Sequence, residues 1–430
     1  MKGLIEKRLD LIKKGIAPKG YKKTAIGIIP NDWAIERLGD LFKFSGGLGI
    51  PRHDLSDGGF PYLHYGDMHC SDNTAISYDE YLLKPKYKAK LTGNETYLIN
   101  DGDIIFLDAS EDLEGTSRMV LVNNPCNRIF ISGLHTIIAK PKKEILVNKY
   151  KQFLTFPQCV KKQFTRLSSG FKVYGINRES IKSIFILFPK DKNEQEKIAQ
   201  ILIKVNENVK YQIDLISKLE LQKKSLVKRL FKSQNSWISC FFKDLYIKAG
   251  EGGTPSTSKK EYYDSGKIPF IKIEHLVNKY LIKIDSYINE KGLKNSGAWL
   301  IPENSLIFSN GATIGQASIN KIPVTTKQGI LGIVPNDRVS VEFLYYMVTS
   351  SYFLCKVKSI TTRGTMFTAY LKDLDNIKVQ IPDKKEQNRI VSILSKLDEN
   401  IDLNKEKLSK IKKQQKSLMQ LLLTGIIRVD

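Results

Sequence analysis

The sequence predicts an α+β chain: two strand-rich domains in tandem, each followed by a long helix, the two helices pairing as an antiparallel coiled coil. Three observations carry that fold class. The most helical stretches repeat about 192 residues apart, running from Asp191 to Phe231 and from Asp383 to Leu423. Their apolar residues fall into heptads, the spacing of a helix seam. The segment ahead of each stretch is built of short apolar runs bounded by Gly, Asn and Pro, which reads as strands and turns.

The repeat is dense. Glu194 and Gln195 match Glu386 and Gln387; Ile198, Ile201 and Leu202 match Ile390, Ile393 and Leu394; Lys204, Glu207 and Asn208 match Lys396, Glu399 and Asn400. A period of this length marks a duplicated domain rather than a solenoid unit. A chain that keeps two copies of one binding module usually reads two sites at once. The implied organisation is an N-terminal helical segment over 1–28, a first domain over 29–190, a first long helix over 191–233, a second domain over 234–382, and a second long helix with a tail over 383–430.

Each domain justifies its strands by echo. Trp33, Leu38, Asp40 and Leu41 resemble Trp237, Phe242, Asp244 and Leu245. A glycine cluster then follows in both, Gly46, Gly47 and Gly49 before Pro51, and Gly250, Gly252 and Gly253 before Pro255. Leu98 to Phe106 parallels Leu300 to Phe308, and each domain closes with a helical segment, a glycine turn (Gly170; Gly364) and a last strand. Pro189 and Pro382 end those strands. Asp191 with Glu194, and Asp383 with Glu386, can then satisfy the free amides of a helix start.

Within the helices the seam opens with Ile198, Leu202, Val205 and Val209 in one copy and Ile390, Leu394, Leu397 and Ile401 in the other. Lys223, Asn404 and Gln415 interrupt it and can set its register. About 40 residues at roughly 1.5 Å each make helices of about 60 Å, and an apolar stripe of that length needs a partner, most simply the other copy. Gly425 stands where a helix-ending glycine belongs.

Lys and Arg total 68 against 45 acids, a net charge of +23, which favours polyanionic partners and nucleic acid above all. Five cysteines without a CxxC pair indicate neither a zinc ribbon nor a disulfide framework. Charged residues in the first turns exclude a signal peptide, and no apolar run is long enough for a bilayer, so a soluble cytoplasmic protein without a membrane partner is expected.

No catalytic signature survives inspection, and no catalytic or metal-binding residue is assigned. There is no G-x-x-x-x-G-K-[ST] loop. The Gly46-Gly47-Leu48-Gly49 cluster lacks the strand-before, helix-after context of a cofactor loop and reads as a turn. His64, His69 and Cys70 lack a second ligand pair. Asn124-Pro125-Cys126 is no substitute for the Pro-Pro-aromatic motif of adenine methyl transfer.

Binding residues are easier to find. Arg52, Arg166, Ser169 and Lys172 lie at the glycine turns of the first domain; Thr254, Lys259, Lys260, Thr362 and Arg363 lie at those of the second. Amides, hydroxyls and cations on such loops can hold phosphates while a few side chains reach base edges. The Lys84, Lys86, Lys88, Lys90 run is either a solvated strand face or a phosphate track.

These residues resemble a known family, the specificity subunit of type I restriction-modification enzymes. The resemblance rests on Gly20-Tyr21-Lys22, Ile29-Pro30-Asn31-Asp32-Trp33, Leu38-Gly39-Asp40, Gly252-Gly253-Thr254-Pro255, the paired Glu-Gln-x-x-Ile helix starts and Leu421-Leu422-Leu423-Thr424-Gly425, and it spans essentially the whole chain. The first domain departs at its glycine turn. The resemblance implies two target-recognition domains, each reading half of a split double-stranded DNA sequence. The helix pair would be the ruler between the halves and would dock two methyltransferase subunits. No cofactor is implied on this chain: S-adenosylmethionine belongs to the methyltransferase partner, and ATP and Mg to a restriction partner where one joins. A stand-alone, pseudo-dimeric DNA-binding regulator is the alternative.

Overall fold

The computed structural model describes residues 2–69, 73–88, 91, 95–232, 236–311, 313–361 and 368–429. The chain forms two units, one made of the residues up to Tyr211 together with those from Leu408 onward, the other of Gln212–Lys407.

In the first unit a helix, Lys2–Lys13, precedes a hairpin that pairs Tyr21–Thr24 with Gly27–Pro30. The N-terminal segment is thus helical only in its first half. The central sheet has the order Phe42–Gly46, Thr136–Pro141, Ile104–Leu107, Met119–Asn123, Ala75–Ser77, antiparallel except for its last pair. Ile104, Ile105, Phe106 and Leu107 are all buried because both faces of that strand are covered. Ile104 and Phe106 face Phe153 and Phe164, while Ile105 and Leu107 face Leu63 and Phe130. An unbroken apolar run, instead of alternation, is the sequence mark of such a strand.

The second unit repeats this order with Tyr246–Glu251, Ile330–Pro335, Leu306–Ser309 and Ala317–Ile319. A single parallel bridge between Tyr280 and Ile319 stands where the first unit has its fifth strand. Each unit also pairs an early strand with its last one, Trp33–Arg37 with Phe185–Pro189, and Ile238–Phe241 with Lys378–Ile381.

The long helices run Lys192–Leu230 and Lys384–Leu423. Their starts explain the repeated Glu-Gln pair. Buried Gln195 accepts from the Val147 amide at 2.8 Å and donates to the Ile145 and Pro189 carbonyls at 3.0 and 2.8 Å. Gln387 does the same with Ser340, Arg338 and Pro382 at 3.2, 2.9 and 3.0 Å. One glutamine thus latches each helix to the domain before it. The aspartates do cap: Asp191 accepts from the Asn193 amide and Asp383 from the Glu386 amide. Glu194 instead turns inward, accepting from the Trp33 indole at 3.2 Å and from Arg428 at 2.6 and 2.9 Å, and Arg428 also holds Asp32 at 2.6 Å.

Ile198 and Leu202 join the core of the first unit with Met419, Leu422 and Leu423, and Ile390 and Leu394 join that of the second with Leu226 and Leu230 packed beside them. Val209 and Ile401 are buried, Val205 and Leu397 half-buried. The residues that interrupt the heptads make the polar rungs between the helices. Gln415 donates to Asn206 at 2.7 Å in the first unit. In the second, Gln212 donates to Asn404 at 2.7 Å and Lys223 meets Asp398 at 2.5 Å, so the helices run antiparallel. Gln212 and Asn404 are counterparts in the repeat: at that rung a position meets its own copy. Polar contacts inside an apolar seam penalise every other register, because a shifted helix would leave them unpaired.

Gly425 has φ +68, and a Cβ there would stand 2.4 Å from the Pro30 ring. The close approach lets the Tyr21 hydroxyl donate to the Gly425 carbonyl at 2.7 Å, tying the C-terminal tail to the N-terminal hairpin. Among the described residues, no helix is long and apolar enough to cross a membrane.

Candidate nucleic-acid interface

Both units frame the end of their central sheet with the same backbone hydrogen bonds. In the first, the Gly47 amide donates to the Thr136 carbonyl at 3.2 Å, the Asp108 amide to the His135 carbonyl at 3.2 Å, and the Ile176 amide to the Asp108 carbonyl at 2.9 Å. In the second, Gly252 donates to Ile330 at 2.9 Å, Asn310 to Gly329 at 3.1 Å, and Ala369 to Asn310 at 2.9 Å. Glycine is required at the first position of each frame. A Cβ would stand 1.8 Å from the Gly133 carbonyl oxygen at Gly47 and 2.1 Å from the Thr326 carbonyl oxygen at Gly252.

In the first unit this frame walls a groove of about 620 Å³, lined in part by Gly47, Asp108, His135, Ser169, Asn177 and Arg178. One wall is a loop that turns at Gly170, φ +130, and closes by two backbone bonds between Ser169 and Gly175 at 3.0 and 2.7 Å. The loop tip carries Phe171, 96% exposed, with Lys172 and Val173. A large apolar ring held out in water beside cations suits contact with bases or sugars.

His135 is the unusual residue here. It holds φ +61, a left-handed conformation that costs a side chain on the order of 1 kcal/mol and glycine almost nothing. Its counterpart in the second unit is glycine, Gly329, at φ +85. The His135 Nδ1 lies 3.1 Å from an Asp108 carboxylate oxygen, and the ring meets the edge of Tyr65, centroids 5.6 Å apart.

Of the residues expected from sequence, Ser169 lines the groove, Lys172 is exposed at the loop tip, and Arg166 is exposed in the last turn of the helix Gln158–Leu167 that leads into that loop. Arg52 opens a short 3-10 turn, Arg52–Asp54. In the second unit the Thr254 hydroxyl accepts from the Gln328 amide at 3.4 Å, next to Gly329, whose amide donates to Glu251 at 2.7 Å. Lys259 donates to the Tyr262 hydroxyl at 3.1 Å, and Lys260 begins a 3-10 turn tied to the same loop by the Tyr263 hydroxyl on the Pro255 carbonyl. Thr362 and Arg363 lie outside the described residues, as do Lys90 and Cys70. Lys84 is engaged, 3.3 Å from Asp67 and over the Tyr81 ring. The His64 Nδ1 accepts from the Gly66 amide at 3.1 Å.

Sequence reasoning missed Asp108, His135, Asn177 and Arg178. They stand at two strand ends and one helix start far apart in the sequence, and only the fold gathers them. The readable hint was indirect: His135 aligns with a glycine in the other copy.

Comparison with known proteins agrees with this duplicated architecture. The family profile described as type I restriction modification DNA specificity domain matches residues 30–221 and again 237–413. The chain is 25% identical over 444 residues to the type I restriction enzyme MjaIX specificity subunit of Methanocaldococcus jannaschii, covering 95% of this chain and 97% of that one. It is 31% identical over 153 residues to the EcoR124I/EcoR124II specificity subunit of Escherichia coli, covering 34% and 37%. In fold it is similar to the type I restriction-modification S subunit of M. genitalium, with TM-score 0.52, 16% identity and coverage of 91% and 96%. It is similar too to a chain from a structure describing assembly of a type I R-M system, with TM-score 0.60, 16% identity and coverage of 93% and 99%. With both halves matched, the chain belongs to the type I restriction-modification DNA specificity family, of whose domain it carries two tandem copies.

Proposed function

We propose that this chain is the non-catalytic, DNA-reading subunit of a type I restriction-modification complex. Each domain reads one half of a bipartite double-stranded target, and the helix pair sets the spacer and docks two methyltransferase subunits, with restriction subunits joining in complexes that cleave. The observation that carries this reading is the duplicated backbone frame, present in both units of a family member with net charge +23. Phosphate contacts would come from Arg52, Arg166, Lys172, Lys259, Lys260 and Arg363, and contacts nearer the bases from Ser169, Thr254 and Thr362. S-adenosylmethionine would be bound by the methylating partner, and ATP with Mg by the restriction partner.

The test is methylation of a duplex library in which half-sequences and spacer vary, by the full chain assembled with methylating subunits. The chain alone should transfer no methyl group; the assembly should modify one bipartite target. Four residues inserted near Lys210 lengthen the first helix by about 6 Å, close to two base pairs, and should shift the preferred spacer while keeping both half-sequences. An unchanged spacer optimum in an active assembly refutes the ruler. Tight, specific binding by the chain alone, with no gain from methylating subunits, would favour a stand-alone regulator.

A further inference from the structure

We propose that His135 is a base-reading, specificity-determining side chain of the first domain, with Asp108 as its positioning residue. Its ligand would be an exocyclic amino group of adenine or cytosine in the major groove. The inference rests on the reading of this frame as a DNA interface and adds the atom that does the reading.

The backbone supplies the first reason. The frame needs a left-handed residue at this point in both units, since Asp108 and Asn310 each donate to its carbonyl. Glycine meets that need in the second unit, at Gly329. A histidine in the same conformation strains the backbone where glycine would not, its ring contacts to Asp108 and Tyr65 lie at the groove, and strain of this kind points to a function for the side chain.

The placement of the ring supplies the second. Its side chain is 48% exposed and lines the groove, bounded by Tyr65 on its edge and Asp108 at Nδ1. An ionised carboxylate only accepts, so the proton between them sits on Nδ1. In the neutral ring Nε2 is then an acceptor with a fixed direction. On the major-groove edge, the amino groups of adenine and cytosine are the donors an acceptor can select. Arg178 lines the same groove, and Arg166 and Lys172 stand at the helix end and loop tip that lead past Ser169 on its wall, cations that would hold the DNA backbone while the imidazole reads.

The test uses the full chain with its methylating subunits on a randomised duplex library, comparing wild type with His135→Gly and Asp108→Asn. His135→Gly installs the residue that the second domain uses, so thermal unfolding should stay within a few degrees of wild type. Discrimination at one base pair of one half-sequence should fall by about tenfold or more, with the other half-sequence read as before. Asp108→Asn replaces an acceptor-only carboxylate by an amide that presents either a carbonyl or an NH2 to Nδ1, so the ring proton is no longer held on Nδ1. The preference for an amino-bearing base at that one position should relax, bases with acceptor edges being admitted, whereas a merely structural role would weaken all bases alike. An unchanged sequence preference for His135→Gly, or an even loss across both half-sequences, overturns the proposal. A wild-type assembly that selects no sequence would refute the DNA-reading function itself, a separate and recognisable result.

Discussion

The two units share a skeleton and differ in what they mount on it. Their frames have the same hydrogen bonds within a few tenths of an ångström, and both place a close-packed glycine at Gly47 and Gly252. Around the first frame stand Asp108, His135 and Arg178; around the second, Asn310, Gly329, Gln328 and Glu251. Backbone hydrogen bonds and glycine close approaches tolerate almost no substitution, whereas groove-facing side chains meet only solvent or a ligand. The shared parts hold the fold, and the unshared parts are where the two domains are free to differ.

The helix junctions sharpen this contrast, because one part of them is shared and another is not. The glutamine latch is shared. Gln195→Ala and Gln387→Ala should each cost their own unit about 3 kcal/mol, since each strands one amide and two carbonyls in a buried place. Urea denaturation followed by hydrogen exchange in each unit measures this, and a loss below about 1 kcal/mol for either would break the equivalence.

Glu194 and Glu386 are not equivalent despite matching in sequence. Glu194 is 5% exposed and depends on Arg428, while Glu386 pairs at the surface with Arg389 three residues on. Arg428→Ala should cost the first unit about 2 kcal/mol, toward the lower end for a broken buried pair because the arginine is partly exposed. Arg389→Ala should leave the stability of the second unit nearly unchanged, as expected of a surface pair. Equal losses in the same denaturation experiment would erase the distinction. Arg428 also holds the Asp32 carboxyl below its usual range by direct hydrogen bonding.

The smallest expected difference lies at Asp103, whose counterpart is Ser305. Burial pushes the Asp103 carboxyl up to about 6, against the bond it accepts from the Asn100 amide. A folded-state value above the unfolded one means that the folded first unit holds the proton more tightly. Its contribution is therefore most favourable below about pH 4 and is lost as pH rises to about 6. Asp103→Asn should stabilise the first unit by about 1 kcal/mol at pH 8 and leave it unchanged near pH 4. A gain that is the same at both pH values would assign the effect to something other than ionisation.

Much of this was legible along the chain. The period of the repeat, the heptads and the matched Trp, Gly and Glu-Gln landmarks are local patterns that survive without knowing which strand meets which. Lys223, Asn404 and Gln415 could be read as register-setting interruptions because polar residues in an apolar seam need partners, and in the structure they have them. The role of the Glu-Gln pair was only half legible: its position announced a helix start, but nothing local said that Gln195 would bond residues 145 and 147.

By itself, then, the sequence determined the duplication, the alternation of strand-rich domain and long helix, and the polyanion-seeking charge, all consequences of periodicity and composition. Tertiary structure alone decided that positions 47, 108, 135, 169 and 178 border one groove, and that Glu194 lies buried against Arg428 while its twin Glu386 faces water. The physical reason is that a side chain's surroundings are set by strand pairing and by the contacts of distant segments, which one-dimensional spacing does not encode.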